Sequence, residues 1–324
     1  MKLGILGAGM IVGTFLEMVG EIPEIQLKAI LGTERSYDKL VSIQKEYHIE
    51  AHFTDFDKLL HEADIDTVYV ALPNHLHYEY AKKALEANKH VICEKPFTLK
   101  LAEFMELKTL ALSKNLVLVE AITNQYFANY QEIKDNLQAL GELKIIECNY
   151  SQYSSRYDSF KAGNVLPAFN PKMGGGALMD INIYNIHFVV GLLGKPQSVQ
   201  YLANMERGID TSGMLLMDYD TTKVVCIGAK DSSSAVRSTI QGNQGSMTVT
   251  GPTSLLTEVE LSLNEGSKKP LNGSNQHRMY PEFKEFSRMI ETNDMAAVTD
   301  QLNHSQLVME VVEEALASAA IVLG

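Results

Sequence analysis

The sequence predicts two domains: an N-terminal α/β domain built on a doubly wound parallel sheet, then an α+β domain with a large, mostly antiparallel open sheet. Three observations carry that prediction. The chain has 324 residues, more than one core usually serves, and 45% hydrophobic against 21% charged residues is ordinary globular composition. Up to Ala121 short apolar runs alternate with amphipathic stretches, the grammar of strand–helix–strand units. Beyond it the runs become strands joined by turns, the grammar of an antiparallel sheet. The boundary divides residues 1–121 from 122–324, with no flexible linker between them.

The elements follow in order. Residues 2–6 read as a strand, a glycine turn comes next, and residues 10–19 read as a helix. A second strand covers 25–31, and a helix covers 37–47, where Leu40, Ile43 and Tyr47 recur at helical spacing. Strands at 67–72, 90–93 and 117–120 alternate with helices at 78–87 and 101–113. In the second half, strands are expected at 143–150, 199–205, 213–219, 223–228, 234–241, 246–249 and 258–263. Asp218-Tyr219-Asp220 and Gly242-Asn243-Gln244-Gly245 supply two of the turns. A helix at 178–191 interrupts the series, and helices at 281–291 and 303–321 close the chain.

Charge excludes some functions. The net charge is −12 and no basic run offsets it, so neither nucleic acid nor an anionic membrane is an expected partner. Cys93, Cys148 and Cys226 are odd in number and scattered along the chain, which fits neither a disulfide framework nor a zinc site and suits the cytoplasm. Residues 3–16 are uncharged but interrupted by Gly4, Gly7, Gly9 and Gly13, so they read as folded structure and not as a secretory leader.

The first chemical motif is Gly7-Ala8-Gly9-Met10-Ile11, between the first strand and helix. Gly7 permits a tight turn, Gly9 lets backbone approach a pyrophosphate, and the helix N-terminus favours its charge, as in a Rossmann dinucleotide site. Val12 stands at the usual third glycine, with Gly13 beside it. At the end of the second strand, Thr33, Arg35 and Ser36 resemble a pocket for the 2′-phosphate of NADP, while Glu34 would suit the ribose diol of NAD. NADP is favoured, and NAD stays open.

Leu72, Pro73, Asn74 and His77 close the third strand, and Glu94-Lys95-Pro96 the fourth, at the carboxyl edge where such sheets bind ligands. Leu72, Pro73, Asn74, His77, Glu94 and Lys95 are expected to touch the cofactor, and Lys95 to assist proton transfer. His75 and His77 lack a third ligand nearby, so no metal is expected. Behind Gly174-Gly175-Gly176, the residues Asp180, Tyr184 and His187 recur at helical spacing on one face. Arg156, Tyr157, Asn185 and His277 are further candidates to line a pocket.

In that order, Gly7-x-Gly9, Glu94-Lys95-Pro96 and the Gly174–Tyr184 stretch resemble the Gfo/Idh/MocA oxidoreductases, over essentially the whole chain. The resemblance implies hydride transfer between a nicotinamide cofactor and a sugar, polyol, inositol or dihydrodiol hydroxyl. It also implies a catalytic Lys95, with Asp180 and Tyr184 at the positions where the family has aspartate followed by histidine or tyrosine. The tyrosine is similar to the glucose-fructose oxidoreductase and dimeric dihydrodiol dehydrogenase branch, which commonly uses NADP. Tyr184 would then be the acid/base, Lys95 its cationic support, and Asp180 the holder of a second hydroxyl, with His187 and Arg156 as substrate contacts. Asn182 stands where the family usually has glycine, and Gln125 where an arginine is frequent. Residues 1–121 become the dinucleotide-binding domain, and 122–324 the substrate-binding and oligomerisation domain, its open sheet face forming a homodimer or homotetramer. The alternative is a non-catalytic dinucleotide sensor of the same fold.

Overall fold

The computed structural model describes residues 1–271 and 276–324. The chain divides into two compact units, Met1–Ala121 with Gln276–Asn303, and Ile122–Asn275 with His304–Gly324. The return of Gln276–Asn303 to the first unit departs from the sequence reading, which gave those residues to the second domain. The cause is aromatic packing. Helix α9 (Tyr280–Thr292) brings Phe283 to 4.5 Å from the Phe15 ring and 5.1 Å from Tyr69, centroid to centroid.

The first unit holds a six-stranded, all-parallel sheet in the order β3-β2-β1-β4-β5-β6. Its strands are β1 (Lys2–Leu6), β2 (Gln26–Leu31), β3 (Ala51–Phe53), β4 (Thr67–Val70), β5 (His90–Glu94) and β6 (Leu118–Ala121). The helices between them are α1 (Met10–Val19), α2 (Tyr37–Glu46), α3 (Phe56–Glu62), α4 (His77–Glu86) and α5 (Leu101–Ser113). The central strands are almost wholly buried and mostly apolar, as expected of a parallel sheet covered on both faces. Strand order reverses beside β1, which pairs with both β2 and β4; that switch point opens a crevice at the carboxyl edge. The turns after β1, β4 and β5 therefore emerge side by side.

The second unit holds an eight-stranded sheet in the order β14-β13-β12-β11-β7-β10-β9-β8. These strands are β7 (Leu143–Ser151), β8 (Ser198–Glu206), β9 (Ile209–Tyr219), β10 (Thr222–Ala229), β11 (Arg237–Gly242), β12 (Gly245–Thr250), β13 (Glu258–Leu263) and β14 (Lys268–Leu271). All pairings are antiparallel except β7 with β10, which run parallel. That pairing sets Cys148 opposite Cys226, so two cysteines distant in sequence are neighbours. Both thiols are buried and free, and burial pushes Cys226 well above its usual range. Alternate residues such as Ile146, Leu215, Val224 and Ile240 are buried on one face. The other face leaves Ile145, Leu202, Met214 and Leu216 at 38–45% exposure.

Helices α6 (Ala128–Asn136), α7 (Tyr157–Lys161), α8 (Ile183–Leu193) and α10 (Met295–Ser318) complete the set. The apolar stretch Pro171–Leu193 is long enough to cross a membrane, yet 72% of its most apolar window is buried inside the protein. It is a core helix, buried on all sides from Ile183 to Val190.

Candidate active site

In the first unit, the chain leaves β1 through Gly7, whose φ of +116° and closeness to the Ala71 carbonyl leave no room for a Cβ. Gly9 precedes α1 with no side-chain cap, and nothing lies within 4 Å of where its Cβ would stand. The amides at the head of α1 therefore face an open cradle with a positive dipole end. Met10 is 73% exposed at that head, with Ile11 half-buried behind it.

The turn after β2 is locked by its own side chains. Thr33 N donates to Ser36 Oγ at 3.0 Å, and Ser36 Oγ donates to the Thr33 carbonyl at 2.9 Å. Glu34 accepts a hydrogen bond from Thr54 Oγ1 at 2.5 Å, so its carboxylate is engaged by β3's end. Arg35 is exposed. Lys39, which the sequence reading missed, donates from α2 to the Ala8 carbonyl at 2.5 Å, placing an ammonium on the glycine turn. A lysine three residues past Ser36, on the first turn of a helix, was the signal that could have found it.

Beside this turn, Leu72 and Asn74 are half-buried and Pro73 is exposed. Two of the residues expected at the cofactor, His77 and Glu94, are buried. His77 is fully buried, its Nδ1 2.9 Å from the Pro96 carbonyl and its Nε2 2.8 Å from the Leu72 carbonyl. Burial pushes its pKa below the ordinary range against the pull of those carbonyls, and the ring serves to tie two loops together. Glu94 is likewise buried and accepts from the Tyr69 hydroxyl. Burial raises its pKa, and also that of Glu282 beside it, so this is an interior acid pair under the loop. Lys95, next in sequence, is half-buried and joined to Pro96 by a cis peptide. Glu120 steadies the loop beyond Pro96, accepting from Phe97 N at 3.1 Å.

In the second unit, Gly176 has φ +107°, and a Cβ there would collide with Asp210. Asp210 Oδ2 accepts from Leu178 N at 2.7 Å and from the Tyr201 hydroxyl at 2.8 Å, capping the head of the site helix. The first turn, Leu178–Asn182, is a wide π turn before α8 takes over. Asp180 lies on that turn with its side chain 34% exposed. Tyr184 follows at 9% exposure and His187 at 0%, so the expected face runs from the surface inward.

His187, expected as a substrate contact, is buried inside the unit, its Nδ1 2.9 Å from His304 Nε2 of α10. Asn185 is also structural, donating to Asn182 and the Ile227 carbonyl and accepting from Thr253. Asn182, at the position where glycine was expected, donates to the Cys226 carbonyl at 3.0 Å. Its side chain fits because Gly228 stands opposite; a Cβ on Gly228 would come within 2.7 Å of Asn182 Cβ. Asn124 donates to the Tyr184 carbonyl at 2.8 Å and Gln125 to the His187 carbonyl at 3.0 Å, so Gln125 braces the helix.

Arg156 is half-buried on the turn after β7, and its neighbour Tyr157 donates to Glu206 at 2.9 Å. His277 belongs to the first unit, where its Nδ1 accepts from Met279 N at 3.3 Å. Among the described residues, no three His, Cys, Asp or Glu side chains converge as a metal site.

Comparison with known proteins agrees with this geometry. Residues 1–122 match the GFO/IDH/MocA model for the oxidoreductase family with an NAD-binding Rossmann fold, and residues 130–248 match the GFO/IDH/MocA C-terminal domain. The scyllo-inositol 2-dehydrogenase (NADP(+)) IolU of Bacillus subtilis is 31% identical, covering 99% of this chain and 98% of its own. The trans-1,2-dihydrobenzene-1,2-diol dehydrogenase of Xenopus tropicalis is 25% identical over 97% of both chains. Among solved structures, KijD10, a 3-ketoreductase from Actinomadura kijaniata in complex with NADP and TDP-benzene, shares the fold. Its TM-score is 0.82 at 21% identity, over 97% of this chain and 98% of that one. With both halves matched and a relative aligned end to end, the chain belongs to the GFO/IDH/MocA family and is an NAD(P)-dependent oxidoreductase.

Proposed function

We propose that the protein is an NADP-preferring dehydrogenase or reductase acting on a CH–OH group of a small polyhydroxylated compound: a sugar, polyol, inositol or dihydrodiol. The observation that carries the reading is the head of the site helix. There a partly exposed aspartate lies on a turn that Asp210 and a buried lysine hold in place, and a nearly buried tyrosine follows it on α8. Core packing alone has no use for that pair, and a non-catalytic sensor would not need it.

The cradle at Gly9 and the uncapped head of α1 fit a pyrophosphate. Gly7, Gly9, Met10, Ile11, Leu72, Pro73 and Asn74 would hold the dinucleotide, with Lys95 beside it. Bound there, a nicotinamide supplies the hydride acceptor or donor. The preference for NADP is supported by charge: Glu34 is occupied by Thr54, whereas Arg35 and Lys39 offer cations. Lys95 stabilises negative charge on the reacting oxygen, Tyr184 gives and takes its proton, and Asp180 accepts a hydrogen bond from a second hydroxyl, with Arg156 as a further contact.

The second unit, Ile122–Asn275 with His304–Gly324, supplies substrate recognition and self-association in this reading. The sheet face carrying Ile145, Leu202, Met214 and Leu216 buries itself in a homodimer or homotetramer. The free thiols and acidic surface suit the cytoplasm, with no partnership with nucleic acid or membrane. A panel of sugars, inositols and dihydrodiols, followed by the absorbance of the reduced nicotinamide with NADP and with NAD, tests the proposal. Turnover of at least one polyol, faster with NADP, is expected; no turnover across the panel in either direction would reject it.

A further inference from the structure

We propose that Lys230 is a positioning residue of the substrate site, holding the Asp180 carboxylate in one orientation; this rests on the substrate role given to Asp180 above. Lys230 follows the last residue of β10, and its side chain is only 2% exposed. Its Nζ lies 2.7 Å from Asp180 Oδ2, donates to the Ala168 carbonyl at 2.5 Å, and sits 4.3 Å from the Phe169 ring centroid. The main chain is anchored as firmly. Lys230 N donates to the Thr211 carbonyl at 2.8 Å, and its carbonyl accepts from Ser154 N at 2.8 Å. Ser154 Oγ in turn accepts from Arg156 N at 3.3 Å. One residue thus joins the turn carrying Asp180, the turn carrying Arg156, and strand β9.

The arrangement is expensive for a structural purpose. A buried ammonium loses its hydration, and an apolar side chain of similar volume would fill the same space without that cost. What the ammonium supplies and a methyl group cannot is a directional charge on a carboxylate that is still one-third open. Asp210, the carboxylate that caps the helix, also feels this cation.

The experiment uses Lys230→Met, Asp180→Asn and the double variant of the full chain. The first readout needs no substrate: aspartate carboxyl 13C resonances are followed against pH, with Asp180 assigned by its loss in Asp180→Asn. Loss of the neighbouring cation should raise the Asp180 midpoint by about one unit or more in Lys230→Met. An unmoved midpoint would overturn the proposal. The second readout is turnover of scyllo-inositol, or of the best compound of the panel, with NADP. Lys230→Met should lower kcat/KM by about 10-fold or more, chiefly through KM, and should add less than about 3-fold in the Asp180→Asn background. Losses that simply multiply would make Lys230 an ordinary core residue. Should Lys230→Met fail to fold, Lys230→Gln keeps a donor for the Ala168 carbonyl and is read in the same way. Ordinary kinetics in Asp180→Asn would instead remove Asp180 from substrate binding, and the midpoint measurement separates that outcome from a failure of Lys230.

Discussion

Replacing Asp210 by asparagine should make the protein more stable at neutral pH and change how its stability depends on pH. The carboxyl group is 1% exposed beneath the helix head. Burial, outweighing the hydrogen bonds from Leu178 N and Tyr201 and the attraction of Lys230, pushes its pKa from 3.8 up to about 6. The folded protein therefore binds this proton more tightly than the unfolded chain does. The stability that proton confers is fully present below the unfolded value and is lost as pH rises through about 6. A shift of about two units corresponds to about 3 kcal/mol at most. Asparagine cannot ionise, and its amide oxygen can still accept from Leu178 N. The variant should therefore gain on the wild type by up to about 3 kcal/mol between about pH 4 and about pH 7. Urea unfolding at intervals across that range measures the gap. Parallel stability profiles, or a gap that widens toward acid, would refute the reasoning.

Three further outcomes are expected from the same geometry. Lys95→Met should lower turnover by about 100-fold or more while cofactor affinity, read by fluorescence titration, changes little; wild-type rates would remove Lys95 from the chemistry. Arg35→Ala and Lys39→Ala together should cut the preference for NADP over NAD by about 10-fold or more, since each withdraws a cation from the β2–α2 turn; an unchanged ratio of Kd values would assign selectivity elsewhere. Leu202→Glu with Met214→Glu should shift the particle mass in light scattering toward one chain, because charge would be buried in an apolar interface. An assembly indifferent to both changes would move the interface off this face.

Much of the fold was legible in the sequence because its elements are long and strongly patterned. Lys2–Leu6, Met10–Val19 and Leu101–Ser113 lie where apolar spacing put them. Strand β3 and helix α3 were missed: Ala51–Phe53 is three half-buried residues, too short to show a period. The parallel pairing of β7 with β10 had no local signal either, since a strand's sequence does not name its neighbour. The same division runs through the site. Gly7, Lys95, Asp180 and Tyr184 could be proposed from the sequence because they belong to contiguous motifs. His77, Glu94, Asn185 and His187 carry the chemistry of ligands, but their burial depends on partners elsewhere in the chain. Lys39, Asp210 and Lys230 were invisible for the converse reason: each acts on a motif far from it in sequence.

The central claim is that Tyr184 exchanges a proton with the substrate oxygen during hydride transfer. Tyr184→Phe tests it most directly, because the ring and its packing beside Tyr150, at 6.3 Å between centroids, are retained and only the hydroxyl is lost. Turnover of a polyol by the variant, compared with wild type at saturating NADP, should fall by about 100-fold or more with melting temperature nearly unchanged. A Tyr184→Phe enzyme with ordinary kinetics would contradict the account.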